Sequence, residues 1–360
     1  MSKKIILITN MPTPYRLPLW DELKKISNLK VVCIAQREKN RQWDIEGRPY
    51  VEFLKSFHFY IDSRDMPLHL SLPFNLFFKL VQEKPDAVII TGYDAVQYWE
   101  ALLYAKLFSK KKIMWSGSTL LSARSKNSFI NRVKQFFINS FDTYYTYGTK
   151  ASEYIESFGV SNENIVTGTN TVETDFYKNN TPNSSNNDGI ISFLYVGQLL
   201  ERKGLKTTIE AFSKLKKDNW VLNIVGTGLE DEKLKKLTKE LNLENKINFV
   251  GYKQKNEIIK YYSEADVFLM PSYLEVWGLV LNEALASGLF CLASKYAGST
   301  FDLIKNGQNG LIIDPLNIDD MIYNINKTLD MSFNKQYIKD SFTVSYKNEA
   351  GKILQAVEKA

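Results

Sequence analysis

Cysteine and histidine are scarce in this chain: only Cys33, Cys291, His58 and His69 occur in 360 residues. Both cysteines sit in apolar, strand-like runs, which excludes a disulfide framework and argues against a cysteine-ligated zinc site. Two histidines are too few for a histidine-rich metal centre. No apolar run approaches the roughly 18 residues needed to cross a bilayer. The apolar run Ile5–Ile8 is too short for a signal peptide and no cleavage site follows it, so a cytoplasmic protein is expected. The loop after this first run reads Asn10-Met11-Pro12-Thr13. A full Gly-x-Gly-x-x-Gly is therefore missing where a dinucleotide-dependent dehydrogenase would carry it.

Hydrophobic residues make up 44% of the chain and charged residues 24%, a globular composition. The length suits two domains better than one core. Charge is uneven. Residues 1–150 carry 23 Lys/Arg against 13 Asp/Glu, and residues 151–360 carry 23 against 27. The first half is the part suited to an anionic partner.

Short β-rich apolar runs alternate with amphipathic segments, first from Lys4 to Phe158 and again from Ile191 to Leu329. Strand–helix alternation predicts parallel sheets covered on both faces. Between the two runs lies Asn-Asn-Thr-Pro-Asn-Ser-Ser-Asn-Asn-Asp-Gly, residues 179–189, which cannot bury apolar surface and reads as an exposed loop. The expected fold class is α/β with two Rossmann-like domains, 1–170 and 190–341, joined by a linker and polar loop over 171–189. Residues 342–360 read as a C-terminal helix, from the spacing of Phe342, Tyr346, Ile353 and Val357, and it can cross back to the first domain.

Four strand-to-helix junctions carry candidate chemistry. The strongest runs from Pro271 to Gly288. A strand ends at Pro271, Glu275 lies in the loop, Gly278 precedes a helix, and Glu283 lies about five residues into it. Ligands of open α/β sheets sit outside the carboxyl ends of strands, and free amides at a helix start attract phosphate. A carboxylate accepts from two neighbouring hydroxyls at once, so Glu275 and Glu283 can serve a sugar and a ribose. Taken in isolation, two glutamates eight apart read as a surface loop residue and a solvated helix residue, but Gly278, Ala284, Ala286 and Gly288 fit a helix packed tightly on a sheet and shift the balance. The second junction, Tyr195 to Gly204, ends a strand in Gly197 and brings Arg202 and Lys203, which can neutralise a diphosphate leaving group. The third, Val225-Gly226-Thr227-Gly228, is half a phosphate-binding fingerprint, or a tight turn only. The fourth, Asn10 to Arg16, offers a stiff two-proline loop and a cation that can reach phosphate across a cleft.

Together these segments resemble glycosyltransferase family 4, the retaining enzymes of GT-B architecture. The resemblance covers about residues 165–330. Glu275 to Glu283 is similar to the family's E-x7-E motif, and the Gly197 to Gly204 segment resembles its diphosphate loop, with Lys203 on the family's lysine and Gln198 where an arginine is usual. The resemblance implies two domains facing across a cleft, with Glu275 on the donor sugar and Glu283 on the ribose. It places amides of Gly278, Leu279 and Val280 on the diphosphate or sugar, and the segment containing Gly251 and Tyr252 on the base. Arg16, Tyr93 and Ser116 are assigned to the acceptor or phosphate side; the histidine common in the family's first domain is missing, and Ser116-Gly117-Ser118 stands where one was expected.

The implied reaction moves a sugar from a nucleotide-diphosphate donor to an acceptor hydroxyl with retention, in bacterial surface polysaccharide or glycolipid assembly. No cofactor and no metal are expected, since no Asp-x-Asp occurs, and Glu275, Lys203 and Arg202 carry the catalytic roles. The expected partners are the nucleotide sugar, a glycan or lipid-linked glycan acceptor and an anionic membrane surface, with no nucleic acid. For the membrane, Arg124, Lys126, Arg132 and Lys134 lie near Phe129, Phe136 and Phe137, a pattern that fits a helix on the inner face of the plasma membrane. The alternative reading of this segment puts the phenylalanines in the core. A nucleotide-sugar epimerase of the same architecture and a non-catalytic nucleotide-sugar-binding protein are the alternative functions.

Overall fold

The computed structural model describes residues 3–35, 47–54, 59–63, 66–70, 75–122, 128–182 and 189–360. His58, Arg124 and Lys126 lie outside them. The chain divides into two compact units. The first contains residues 1–169 and 346–360, and the second residues 170–345.

In the first unit the chain runs β1 (Lys4–Thr9), α1 (Leu17–Ile26), β2 (Asn28–Cys33), β3 (Val51–Phe53), a hairpin of β4 (Phe59–Ser63) and β5 (Met66–Leu70), α2 (Asn75–Glu83), β6 (Ala87–Ile90), α3 (Val96–Leu107), β7 (Lys111–Ser116), α4 (Ser128–Ile138), β8 (Thr143–Tyr147), α5 (Thr149–Glu156) and β9 (Ile165–Gly168). Seven strands form a parallel sheet in the order β3-β2-β1-β6-β7-β8-β9. Ile5 to Ile8 are all fully buried because alternate residues enter different cores. Ile6 and Ile8 pack under α2, α3, α4 and α5. Ile5 and Leu7 pack under α1 and the last helix of the chain.

The second unit runs α6 (Thr174–Asn180), β10 (Ile191–Val196), α7 (Leu205–Phe212), β11 (Trp220–Val225), α8 (Asp231–Glu240), β12 (Ile247–Gly251), α9 (Lys255–Glu264), β13 (Val267–Met270), α10 (Leu279–Ala286), β14 (Phe290–Ser294), α11 (Thr300–Leu303), β15 (Gly310–Ile313), α12 (Ile318–Thr328) and α13 (Lys335–Ser341). Its parallel sheet has the order β12-β11-β10-β13-β14-β15. Local chemistry sets the helix starts. Gln254 and Glu257 form a reciprocal capping box on α9, and Asn317 accepts from the amides of Asp319 and Asp320 at the start of α12.

Three readings change. The expected linker 171–189 is partly helical: α6 occupies Thr174–Asn180, buries Thr174 and Tyr177, and packs on α10. Tyr177 supplies the apolar surface that composition alone did not reveal. The expected helix over 342–360 starts four residues later than read. Phe342 caps α13, residues 342–345 are not helical, and α14 covers Tyr346–Lys359. Thr174 Oγ1 donates to Val344 O at 2.7 Å, which holds this stretch extended. Finally, β3, β9 and the β4–β5 hairpin were not read from sequence, because strands of three to five residues carry almost no periodicity. The last helix, α14, belongs to the first unit and lies on α1 and on β7, β8 and β9.

Candidate functional site

In each sheet the strand order reverses once, between β1 and β6 in the first unit and between β10 and β13 in the second. At such a switch point the two loops leave toward opposite faces, and a crevice opens at the carboxyl ends of the strands.

In the second unit, the floor of this edge is glycine. Gly197, Gly226 and Gly251 end the adjacent strands β10, β11 and β12, tied by Gly197 N–H to Val225 O (3.0 Å) and Gly226 N–H to Gly251 O (2.9 Å). A Cβ on Gly226 would lie 1.9 Å from Gly197 O, so only glycine permits the two strand ends to approach this closely. Tyr252, just beyond, is exposed, and its hydroxyl lies 3.3 Å from Gln254 Oε1.

The loops on either side of the β10/β13 switch point meet. Lys203 Nζ, from the β10–α7 loop, forms an ion pair and hydrogen bond with Glu275 Oε2, from the β13–α10 loop. Both side chains are largely buried, at 15% and 17% exposure. Arg202 is more exposed; its guanidinium lies 3.7 Å from Glu275 Oε2 and donates to Leu274 O at 3.3 Å. Backbone bonds fix the Glu275 loop: Glu275 N–H to Tyr296 O at 3.2 Å, and Gly298 N–H to Glu275 O at 3.1 Å. Beneath the pair, Tyr195 is buried, and burial plus the Glu275 charge push its phenol above the ordinary value.

Gly278 adopts φ +87° as it turns the loop into α10. The amides of Leu279 and Val280 open the first turn, where a helix has no internal acceptors to offer. One turn on, Glu283 is half-buried. Tyr262 donates to its Oε2 at 2.7 Å, and Tyr177 also bonds it. Burial raises the Glu283 carboxyl above its ordinary value, opposed by the two tyrosine hydroxyls and by Lys255. Tyr177 and Tyr262 escape sequence reasoning because they lie on α6 and α9, far from any motif; their edge-to-face packing at 5.7 Å is a tertiary event.

In the first unit, Arg16 and Ser116 sit at the carboxyl edge. Arg16 donates to Thr9 Oγ1 at 3.4 Å and stacks 5.5 Å from the centre of the Trp115 ring. Thr91 donates to Thr9 at 3.1 Å across the β1/β6 switch point, a pair of hydroxyls not singled out by the sequence. Ser116 is buried and accepts the Ser118 amide at 3.4 Å. Tyr93 is placed differently from this pair. Its ring packs against Phe137 under the Lys134 ammonium, and its hydroxyl meets Tyr154, so it is part of the helical layer over the sheet. His69 lies in β5 of the separate hairpin.

Residues 177–341 match the family model described as glycosyl transferases group 1. The chain is 33% identical over 145 residues to an uncharacterized glycosyltransferase of Haemophilus influenzae, an alignment that covers 40% of this chain and 39% of that protein. It is 29% identical over 141 residues to the lipopolysaccharide 1,6-galactosyltransferase of Salmonella typhimurium, covering 38% and 39%. The matched stretch thus spans about two fifths of the length of these relatives. Among solved structures, Anabaena Alr3699/HepE in complex with UDP superposes with a TM-score of 0.75 at 16% identity, covering 99% of this chain and 100% of that one. The fold is GT-B, with two parallel-sheet Rossmann-like units. The matched family segment contains the glycine floor, the Lys203–Glu275 pair and Glu283.

Proposed function

We propose that this protein is a retaining glycosyltransferase that takes a sugar from a nucleoside-diphosphate donor and works without a metal ion. The observation that carries the reading is the Lys203–Glu275 pair, made by two loops at the switch point of the second sheet, with Glu275 eight positions before Glu283. The match of residues 177–341 to glycosyl transferases group 1 supports it.

In this reading the donor takes apart a pair that is neutral at rest. Lys203, helped by Arg202 and the Leu279 and Val280 amides, turns to the diphosphate, and Glu275 is freed to accept from sugar hydroxyls. Glu283 accepts from the ribose. The bare glycine edge lets the nucleotide approach the backbone, with Gly251 and Tyr252 beside the base. Charge grows on the phosphate oxygen as the bond from the anomeric carbon breaks, and the fixed cations and amides stabilise it. The acceptor oxygen bonds to the anomeric carbon from the same face, and its proton passes to the departing phosphate oxygen. No protein base is needed. Arg16, Thr9, Thr91 and Ser116 at the carboxyl edge of the first unit belong to the acceptor side. A glycan or lipid-linked glycan is the acceptor class, in keeping with the lipopolysaccharide galactosyltransferase among the relatives.

A thermal-shift panel of nucleoside diphosphates tests the donor site, followed by hydrolysis and transfer assays with the matching nucleotide sugars, with the anomer of the product read by NMR. Stabilisation by one diphosphate and a retained anomer are expected. An inverted product would overturn the mechanism, and no response to any diphosphate would overturn the donor site.

A further inference from the structure

The outer surface of the helical layer in the first unit has a composition that its fold does not require. From Ala95 to Phe141 the sequence holds Lys106, Lys110, Lys111, Lys112, Arg124, Lys126, Arg132 and Lys134, and one acid, Glu100. That acid is internal: Glu100 is buried, and its carboxylate accepts the Leu76 and Phe77 amides at 3.0 and 3.2 Å, at the start of α2. The outer surface of α3 and α4 therefore presents cations and no carboxylate among its described residues.

The same surface is apolar. On α3, Val96, Leu103 and Leu107 recur at i, i+7 and i+11, all exposed, while Tyr98, Ala101, Leu102 and Ala105 fill the core. On α4, Phe129, Val133 and Phe136 recur at i, i+4 and i+7, with Phe129 73% and Phe136 62% exposed, while Phe137 and Ile138 face inward. The expectation for this segment thus divides: Phe137 is a core residue, and Phe129 and Phe136 are not. The helices are neighbours. Trp99 of α3 packs on Phe137 of α4 at 4.6 Å, and the Lys106 ammonium sits 4.7 Å from the centre of the Phe136 ring. The two stripes meet where Lys106 covers Phe136, and exposed apolar residues grouped on neighbouring helices mark an interaction surface.

At its lower end, where β7 and β8 begin, lies a cavity of about 1020 Å³ lined by Lys106, Lys110, Lys111, Lys112, Phe136 and Ala360, with Asp142 the only acidic side chain among the described residues that line it. Asp142 is already paired with Lys112 at 2.7 Å. Lys106 donates to the Ser140 hydroxyl and Lys111 to the Val357 and Glu358 carbonyls, and among the described residues neither pairs with a carboxylate. The cavity is at the amino ends of the strands, the edge of the sheet opposite Arg16 and Thr91.

We propose that this face docks on an anionic lipid surface. Phe129, Phe136, Leu103 and Leu107 enter the headgroup boundary, and phosphate groups of the lipid sit at Lys106, Lys110 and Arg132. An apolar stripe edged by cations, with no carboxylate, matches the amphipathic boundary of an anionic bilayer, where each cation near the surface multiplies partitioning about fivefold. The proposal stands on residues outside the donor site, so it can hold or fall independently of the transfer reaction.

The test is co-sedimentation of the full chain with vesicles of phosphatidylglycerol and phosphatidylcholine, and with phosphatidylcholine alone. Binding to the anionic vesicles only, weakened by salt, is expected. Phe129→Ser/Phe136→Ser and Lys106→Glu/Arg132→Glu should each lower it about tenfold or more, while the thermal midpoint and the shift caused by a nucleoside diphosphate stay as in the parent. Equal binding to both vesicle types, none to either, or undiminished binding by both variants would overturn the proposal. Light scattering adds a further arm: a dimer formed without lipid and lost in the phenylalanine variant would assign the face to a second copy of the chain instead.

Discussion

Tyr262, whose ring is fully buried, donates its hydroxyl to Glu283 at 2.7 Å, and so aims a carboxylate that lies on a different helix. With Tyr177 it forms a two-phenol clamp on one acid. The clamp holds the side chain and favours its charged form, against burial, which favours the neutral one.

Acid should therefore weaken nucleotide binding in a defined way. Burial raises the Glu283 carboxyl above its ordinary value of 4.5, and in the proposed donor site only the ionised form would accept from both ribose hydroxyls. Affinity for a nucleoside diphosphate should be full above that raised value and fall as pH drops through it. Tyr262→Phe removes a hydrogen bond to the charged form, worth about 1.5–3 kcal/mol. The acid limb should move to higher pH, and Kd at neutral pH should rise about tenfold or more. Calorimetric titrations across pH read both effects. An unmoved limb would show that Tyr262 only fills space.

Lys203 and Glu275 make a second prediction. Lys203→Ala and Glu275→Ala should each lower turnover about a hundredfold or more, the cost of removing one electrostatic partner of a transition state. Each change also leaves a partly buried charge without its mate. The exchange Lys203→Glu/Glu275→Lys should recover most of the lost thermal stability and none of the turnover. Recovered turnover would mean the pair is structural.

Two glycines should respond with opposite signs. Gly226→Ala drives a methyl into Gly197 O and should lower stability by about 2 kcal/mol or more, with loss of the diphosphate-induced thermal shift. Gly351, within α14, has nothing within 4 Å of a new Cβ, and its replacement by alanine should raise stability by about 0.5–1 kcal/mol. Urea unfolding curves distinguish the two.

At the amino edge of the first sheet, the Lys30 and Lys4 ammonium groups hold the Glu83 carboxyl down to about 2, from 4.5. Folded Glu83 stays ionised where unfolded Glu83 takes up a proton, so its contribution is complete above 4.5 and disappears as pH falls toward 2. Glu83→Gln should lower the thermal midpoint at pH 7 by roughly 2 °C, and the two proteins should converge near pH 2. A constant difference across that range would rule out the ion pairs as the cause.

Much of the frame was legible locally. Ile5–Ile8, Phe290–Ala293 and the other continuous apolar runs of the parallel sheets announce themselves, because a strand buried on both faces needs no alternation. Helix starts and the glycine turns at 197, 226 and 278 follow from backbone sterics within a few residues. The spacing of Glu275 and Glu283 could likewise be read, since a loop and one helical turn define it.

Tertiary structure decided what joins residues far apart in the chain. Strand order placed the loop carrying Lys203 beside the loop carrying Glu275, 72 positions on, and packing of α6 and α9 delivered two tyrosines to Glu283. It also returned α14 to the first unit, where Glu349 accepts from Tyr145 at 2.8 Å and from the Thr169 amide at 2.7 Å. It turned Phe137 inward and left Phe129 and Phe136 outside, a division that helical period alone leaves open because both faces of α4 are rich in apolar residues. Local sterics and hydrophobic period act over a few residues and are written in sequence order, whereas pairing across a sheet depends on which surfaces remain to be buried once every element has formed.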